Sequence, residues 1–348
     1  MNISKNYRTF IIIGTVFGLI GLLVNFVFAA QKYLWLDEIY TLLNINFISV
    51  IDLIISFWNG ADTHPPGYFI IAYLIQAVFH TVYALKILSL CFGLLGLYFI
   101  KQTYRNISNY IFAIVLVAVT TIPFFSTYLI CEIRPYGYYF FSTSLLVWST
   151  QKIVREKSGF PTFVFSAIIF LTSHYFAFFY FLTLIIYLFW KNNWKFIDRP
   201  IIVSLTILLC VGLPMVFMAY RQFVAVQFTT WQKTPHLVDL ILLVKLFGTY
   251  SIMFIMGLII IYGKLINKKY GAIIKQSNGF EWKLQILFFC IPFLMYVLCH
   301  IGMGIFLPRY FIPTFYSLIV LFIFIINILR NNQLLKLIVL TCLILLLG

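Results

Sequence analysis

The chain is short of charge, and acidic residues are the scarcest of all. Only 9% of its 348 residues are charged, and Asp and Glu together number nine. About a quarter of an ordinary soluble domain is charged, so these residues are too few to cover a water-soluble fold. The hydrophobic residues, 63% of the chain, form runs of about 17–23 residues that match the thickness of a bilayer. This composition excludes a soluble globular protein and predicts an all-α polytopic integral membrane protein in the lipid bilayer.

Two further absences narrow the class. The six cysteines show no Cys-x-x-Cys spacing, so neither a disulfide framework nor a zinc knot is indicated. No soluble tract or internal repeat interrupts the apolar runs, which predicts a single transmembrane domain over 1–348 with no soluble C-terminal domain. The net charge of +15 would suggest nucleic acid in a soluble protein. Here Lys and Arg lie in short loops, where they orient helices, and no nucleic-acid partner is expected.

The apolar runs predict a bundle of about 11 transmembrane helices. One further apolar segment, 67–80, is too short to cross a bilayer comfortably. The predicted spans cover residues 10–30, 83–100, 110–128, 134–150, 160–173, 175–190, 200–219, 240–262, 284–305, 310–329 and 334–348.

The distribution of basic residues decides the placement of 67–80. If this segment stays on the outer face and the N-terminus is cytoplasmic, most of the 24 Lys and Arg residues fall in cytoplasmic loops, in agreement with the positive-inside rule. If it crosses, most of them fall outside. We therefore predict a multi-pass protein of the plasma (inner) membrane. Its first extracytoplasmic loop, 31–82, carries interfacial helices, one of them at 67–80.

This first loop holds a large share of the few acidic residues. Asp37 and Glu38 directly follow the first helix, so both carboxylates are expected at the outer interface, where ionisable residues tend to be functional. Adjacent side chains point in different directions on a helix or a strand. Asp37 is therefore expected to serve the chemistry, while Glu38 orients or caps. Solvated loop charges are the alternative interpretation.

A second cluster in the same loop reads Asp62-Thr63-His64-Pro65-Pro66-Gly67-Tyr68. The two prolines stiffen the backbone and remove two N–H donors. They present His64 just ahead of the helix that is expected to begin near Gly67. A plain helix start would need Asp or Thr but neither the histidine nor both prolines, so the cluster indicates a functional site.

Three later motifs add polar residues at the predicted outer ends of spans. The first, Glu132-Ile133-Arg134-Pro135-Tyr136, offers an arginine whose fork of donors can hold a phosphate. An interfacial anchor, with Arg134 paired to Glu132, is the alternative. Thr172-Ser173-His174-Tyr175 interrupts an apolar stretch that fits two helices with an outer turn at His174, and a histidine satisfied by local contacts is the alternative. Pro308-Arg309-Tyr310 supplies either a second cation or a second anchor.

Taken in order, these motifs resemble those of the GT-C glycosyltransferases. They are Asp-Glu after the first helix, Asp-x-His-Pro-Pro before an interfacial helix, Glu-x-Arg-Pro-Tyr, Ser-His-Tyr and Pro-Arg-Tyr. The likeness is to the dolichyl-phosphate-mannose–protein mannosyltransferases and to the bacterial lipid A aminoarabinose transferases. By order and spacing it covers residues 1–330.

The resemblance implies a GT-C-like bundle and an inverting transferase. Such an enzyme moves a sugar from a polyprenyl-phosphate-linked donor to an extracytoplasmic acceptor hydroxyl on a lipid, glycan or protein. The resemblance makes Asp37 the general base and Glu38 the second catalytic carboxylate. It assigns the donor phosphate to His64, Arg134, His174 and Arg309, and supporting or acceptor-binding roles to Asp62, Glu132, Tyr136 and Tyr175.

Cofactor and function class stay open at this point. The aminoarabinose transferases place a Lys and an acidic residue ahead of the paired prolines, where this chain has Thr63-His64. No cofactor is therefore assigned, and a divalent metal ion is left open. A polytopic lipid or solute transporter, or flippase, is the alternative function. A transporter would favour charges at mid-membrane depth and repeated halves. Here the acidic residues of the motifs and their neighbouring cations gather on the predicted outer face. A non-catalytic scaffold is a third alternative.

Overall fold

The computed structural model describes residues 3–47, 49–104, 129–191, 198–226, 235–239, 282–300 and 306–329, with positions 109, 112, 113, 116 and 119. Within these residues the fold is helical and contains no strand. The predicted spans at 240–262 and 334–348 lie outside the described residues. So does the span at 110–128, apart from four isolated positions.

The helices overlap the predicted spans wherever the two can be compared. The predicted span at 200–219 is part of one longer helical run, which passes through a π-helical turn at Leu208–Gly212. In chain order the helices are α1 (Ile3–Gln31), α2 (Leu36–Asn44), α3 (Val50–Trp58), α4 (Gly67–Phe79), α5 (Val82–Thr103), α6 (Tyr136–Glu156), α7 (Phe160–Leu171), α8 (Ala177–Lys191), α9 (Arg199–Ile207), α10 (Leu213–Val226), α11 (Trp282–His300) and α12 (Ile312–Leu329).

Four helical runs among the described residues are long and apolar enough to cross a membrane. They are Gly14–Gln31, Val82–Thr103, Arg199–Gln222 and Lys283–His300. They support membrane association and agree with an all-α membrane protein, while the larger count of about 11 spans stays a prediction. Helices α7 and α8, predicted as spans, have 12 and 15 residues. They rise by roughly 18 and 22 Å, less than the hydrocarbon core of about 30 Å.

The predicted first loop contains three short helices. Helix α4, at Gly67–Phe79, matches the segment predicted at 67–80. Helices α2 and α3 were not located by the sequence pattern, although each has a recognisable start. The Ser49 hydroxyl accepts a hydrogen bond from the Asp52 N–H at 3.1 Å and caps α3. At α2 the cap comes from inside the helix: the Glu38 carboxylate, three residues after Trp35, accepts the Trp35 N–H at 3.2 Å.

Helix α6 is the centre of the bundle and contacts α5 and α7 most extensively. It is rich in small hydroxyl residues that are buried yet hydrogen-bonded. For example, Thr143 donates to the Tyr139 carbonyl at 2.7 Å, and the Ser149 and Ser166 hydroxyls lie 2.6 Å apart across the α6–α7 contact. Small polar residues of this kind let helices approach closely within a membrane. The packing brings the N-terminal end of α6 and the C-terminal end of α7 to the same place.

Gly67 docks the first loop onto that end of α7. Its N–H donates to the Thr172 carbonyl at 3.2 Å, and a Cβ atom at this position would lie 2.5 Å from that oxygen. Only glycine permits so close a backbone approach. The Pro-Pro-Gly sequence therefore carries His64 to the turn between α7 and α8, where His174 lies.

Candidate functional site

Five chain segments that are distant in sequence converge on one polar cluster. They are the start of α2, the loop before α4, the loop before α6, the turn between α7 and α8, and the short 3₁₀ turn Pro308–Tyr310 before α12. We call the six linked side chains the polar cluster: Asp37, Asp62, His64, Arg134, His174 and Arg309.

Glu38 is a structural link and not a free carboxylate. One of its oxygens, Oε2, accepts the Trp35 N–H at 3.2 Å and caps α2. The other, Oε1, accepts the Ile133 N–H at 3.0 Å. The side chain is buried, with 3% exposed. Glu38 therefore ties α2 to the loop before α6, and both carboxylate oxygens are engaged with backbone.

Asp37 is the accessible carboxylate of the predicted pair. Its Oδ2 lies 3.0 Å from Arg309 NH1, and about a quarter of each side chain is exposed, 25% for Asp37 and 22% for Arg309. The Arg309 guanidinium also lies over the rings of Trp35 and Tyr136, at 5.6 and 5.8 Å from their centroids. Asp37 Oδ2 itself is buried beside this cation, so the exposed quarter of Asp37 is the rest of its side chain.

Arg134 is buried and held by several partners at once. Its NH1 donates to the Asp37 carbonyl at 3.2 Å and to the Thr41 hydroxyl at 3.1 Å, and lies 3.7 Å from Asp62 Oδ2. Only 4% of the residue is exposed. Among the described residues its carboxylate partner is Asp62, not Glu132 as the anchor alternative would have it. Arg134 therefore joins α2 to the loop before α4.

Asp62 and His64 form a buried pair. Asn44 Nδ2 donates to Asp62 Oδ2 at 2.7 Å, and His64 Nδ1 lies 2.8 Å from Asp62 Oδ1. Burial opposes ionisation of Asp62, but the His64 hydrogen bond and the Arg134 charge outweigh it and lower the pKa of Asp62. Burial, then the Arg134 charge, lowers the pKa of His64. An ionised Asp62 requires His64 Nδ1 to donate, which leaves His64 Nε2 with a lone pair.

His174 has the opposite tautomer. The Phe176 N–H donates to His174 Nδ1 at 3.1 Å, so the ring proton of the neutral form is on Nε2. Burial, reinforced by His64 and the cluster arginines, holds the pKa of His174 well below its usual value. The ring stacks on Tyr139 at 5.1 Å and lies 5.1 Å from His64. Two neutral imidazoles thus lie side by side, one with an acceptor nitrogen and the other with an N–H donor.

Of the three remaining predicted residues, Tyr136 and Glu132 lie near the cluster and Tyr175 does not, while Tyr310 joins the site without having been predicted. Tyr136 is buried and its ring lies 5.9 Å from that of His64. Tyr310 was noted only as part of a motif, and its ring packs 4.7 Å from His174. Glu132 is buried close to Glu38. Tyr175 instead packs against a separate apolar core formed around α3 and α4.

Glu132 is a buried acid near other charges. Its carbonyl accepts the Ser89 hydroxyl at 2.7 Å, which fixes the loop before α6 to α5. Burial, reinforced by the Glu38 carboxylate, raises the pKa of Glu132 to about 8. Among the described residues, its Oε2 has no hydrogen-bond partner. Glu132 is therefore protonated over much of the neutral range.

Glu132 predicts a pH-dependent loss of stability. Its pKa in the folded protein, about 8, lies above the ordinary 4.5. The protonated acid therefore contributes stability below the ordinary pKa, and this is lost as pH rises through the folded value. Between pH 5 and pH 8, the melting temperature of detergent-purified wild type should fall relative to that of Glu132→Gln. The exposed Glu156→Gln control should follow wild type. Parallel wild-type and Glu132→Gln curves would contradict the assignment.

Sequence reasoning gave no role to two residues, one at the site and one outside it. Trp35 supplies a face for Arg309, and its position directly before Leu36-Asp37 was the available signal. Lys86 is buried in α5, and its Nζ donates to the Ala29 carbonyl at 2.6 Å. That contact satisfies an unpaired carbonyl at the end of α1. A lone lysine in an apolar run was the signal for this second residue.

The described residues contain no group of three or more His, Cys, Asp or Glu side chains arranged to hold a metal ion. Comparisons with known proteins add nothing to this geometry: no family model, no curated protein and no solved structure matches the chain. The functional argument therefore depends on the polar cluster itself, in which two carboxylates, two guanidiniums and two neutral imidazoles meet.

Proposed function

We propose that this chain is a membrane glycosyltransferase. It moves a sugar from a polyprenyl-phosphate-linked donor to an extracytoplasmic acceptor hydroxyl on a lipid, glycan or protein, with inversion. One observation carries the proposal: Asp37, the more exposed of the two carboxylates in the polar cluster, shares this site with buried N–H groups that lack hydrogen-bond partners among the described residues. These groups are Trp35 Nε1, Arg134 Nε, Arg309 Nε and His174 Nε2. A base next to unfilled donors fits a reaction that deprotonates a hydroxyl and releases a phosphate.

Asp37 is the general base in this proposal. The acceptor hydroxyl gives its proton to the Asp37 carboxylate while its oxygen attacks the anomeric carbon. The bond from that carbon to the phosphate oxygen breaks, and polyprenyl phosphate leaves with the electron pair. Glu38 supports this assignment indirectly, because both of its oxygens already accept backbone N–H groups. It positions α2 and leaves the proton transfer to its neighbour.

The donor phosphate is held by the cationic and N–H groups of the cluster. Preorganised donors that face a developing negative charge lower the barrier to its formation. Arg309, Arg134 and His174 all carry an N–H that can point at a phosphate oxygen. His64 presents a lone pair at Nε2, so its part is to fix Asp62 and, through it, Arg134. Tyr136 supports Arg309, whereas Tyr175 packs against the apolar core around α3 and α4.

The proposal includes the membrane topology. About 11 spans, a cytoplasmic N-terminus and a plasma-membrane location put the polar cluster on the extracytoplasmic side. Residues 31–82 form the loop that carries Asp37. A lipid donor would then reach the cluster from the outer leaflet. Acceptor recognition would depend on the outer loops.

A reporter fused after residues 80–82 is expected to signal an extracytoplasmic location. Helix α4 has 13 residues and rises by about 20 Å, which is short of the hydrocarbon core of about 30 Å. A fusion after residues 101–104, at the end of α5, is the matched control and should report the cytoplasm. Cytoplasmic activity from the fusion at 80–82 would invert every later loop and contradict the topology.

Reconstitution tests the function. Purified protein in liposomes is supplied with radiolabelled polyprenyl-phosphate hexoses and pentoses and with a cell-envelope extract as acceptor. Transfer of label to an acceptor, with release of polyprenyl phosphate, is the expected result for at least one donor. Intact labelled lipid that moves between leaflets without cleavage would identify a flippase and overturn the proposal.

A further inference from the structure

Arg309 has two possible partners at the proposed site, the donor phosphate and the Asp37 carboxylate. It is a candidate ligand for the donor phosphate, and yet its NH1 lies 3.0 Å from Oδ2 of Asp37, the proposed base. A carboxylate oxygen that already faces a guanidinium leaves less room for an acceptor hydroxyl, because the cation occupies that side of the carboxylate. In the ligand-free protein, therefore, the Arg309–Asp37 ion pair engages both the proposed phosphate-binding arginine and the proposed base.

The two arginines of the cluster differ in how firmly they are held. Arg134 has 4% of its surface exposed and contacts the Asp37 carbonyl, the Thr41 hydroxyl and Asp62. Arg309 has a fifth of its side chain exposed, and Asp37 is its one carboxylate partner among the described residues. A change of partner would break a single ion pair at Arg309 but a buried network at Arg134. Arg309 is the arginine that can move.

The surroundings of Arg309 favour a short movement that keeps the cation supported. The Trp35 and Tyr136 rings lie 5.6 and 5.8 Å from its guanidinium carbon, and such faces attract a cation over a broad area. Lys32 Nζ lies 5.8 Å from the same Trp35 ring. The buried Arg309 Nε has no hydrogen-bond partner among the described residues. An anion that approached this aromatic platform would therefore meet an N–H group ready to donate.

We propose that Arg309 exchanges carboxylate for phosphate during the reaction cycle. In the donor-free protein it neutralises and positions Asp37. When the donor binds, its phosphate forms an ion pair with Arg309 and replaces Asp37 there. The Asp37 carboxylate is then free to receive the acceptor proton. The inference depends on the proposed function and adds an order of events to it. The donor binds first, and only then can Asp37 act as a base. No covalent bond changes in the exchange, and the phosphate replaces one anion at the guanidinium with another.

The exchange predicts competition between Asp37 and a lipid phosphate for Arg309. A short-chain polyprenyl phosphate, without sugar, is titrated into the purified full-length protein. The proteins compared are wild type, Asp37→Asn, Arg309→Gln and the double variant. Asp37→Asn is expected to tighten binding by about three- to five-fold, the scale of a partly exposed ion pair. In the Arg309→Gln background the same substitution should change affinity less than about two-fold, since only direct repulsion by Asp37 is then removed.

Two further variants keep the test decisive. Arg309→Lys retains the charge and should retain part of the tightening, which guards against misfolding of Arg309→Gln. Asp52→Asn removes an equal charge from an exposed position in the same loop and should leave affinity unchanged. Equal tightening by Asp37→Asn in both backgrounds, or none in either, would overturn the exchange while leaving the proposed function in place. Wild-type protein that fails to bind polyprenyl phosphate would overturn both.

Discussion

Replacing Asp37 by asparagine is expected to lower the turnover of sugar transfer by about 10³-fold, within the range of general base catalysis. The amide cannot accept the acceptor proton, while its size and its place beside Arg309 are retained. The loss should fall on kcat, and the KM for the donor should stay equal or decrease. Initial rates of label transfer in proteoliposomes, at saturating and limiting donor, measure the two parameters separately.

The control for Asp37→Asn is Asp52→Asn, which removes the same charge at the start of α3. Asp52 is exposed and its carboxylate accepts the hydroxyl of Ser49. It should retain wild-type turnover. If Asp37→Asn, eluting as a monodisperse protein, kept more than a tenth of wild-type kcat, Asp37 would not be the base.

Replacing Arg134 by glutamine is expected to cost both stability and activity. The guanidinium compensates a buried Asp62 and holds the Asp37 carbonyl and Thr41 in place. Removal of one partner of a buried ion pair typically costs about 3–5 kcal/mol, because the other charge stays buried. Thermal unfolding in detergent should show a clear drop in melting temperature, and transfer should fall below detection.

The double variant Asp62→Asn, Arg134→Gln separates the loss of stability from the loss of activity. Without the buried carboxylate, the double variant should recover much of the melting temperature, yet Asp37 and the phosphate would still lack their anchor, so activity should not return. Lys157→Gln, at an exposed position directly after α6, is the charge-matched control and should change neither property by much. An Arg134→Gln variant as stable as wild type would contradict the role assigned to the buried pair.

The sequence predicted an all-α membrane protein, with which the described helices agree, and it singled out the six residues that the structure brings together. Charge is so rare in the chain that each motif stood out, and the helices lie where the apolar runs are long. The positions of Asp37 and His64 followed from helix starts that the local residues define. In each case the information was local: a run length, a proline pair or an adjacent carboxylate.

What the sequence could not supply was the pairing between segments. Arg134 was assigned Glu132 as an alternative partner because the two are near neighbours in the chain. Its ion pair is instead with Asp62, which precedes helices α4 and α5. The tautomers of His64 and His174 depend on partners two residues away, Asp62 and Phe176, whose geometry only the folded backbone defines. The ion pair of Arg309 with Asp37 likewise joins opposite ends of the chain.

Short helices were the second gap. Helices α2 and α3 have nine residues each, too few turns for an apolar pattern to distinguish them from loop. They matter because α2 orients Asp37 and Glu38 differently. Glu38 turns back to cap the helix, and Asp37 faces Arg309. The different roles of the two carboxylates, Glu38 as a helix cap and Asp37 as the partner of Arg309, follow from the geometry of this first turn of α2.

The fate of the lipid carrier tests the central claim most directly. Mass spectrometry of proteoliposome lipids, after incubation of wild-type protein with a polyprenyl-phosphate sugar and its acceptor, counts the carrier with and without its sugar. We expect one free polyprenyl phosphate for each glycosylated acceptor, with little of either in the Asp37→Asn sample. A carrier that keeps its sugar at every time point, with any donor tested, would contradict the assignment of this chain as a glycosyltransferase.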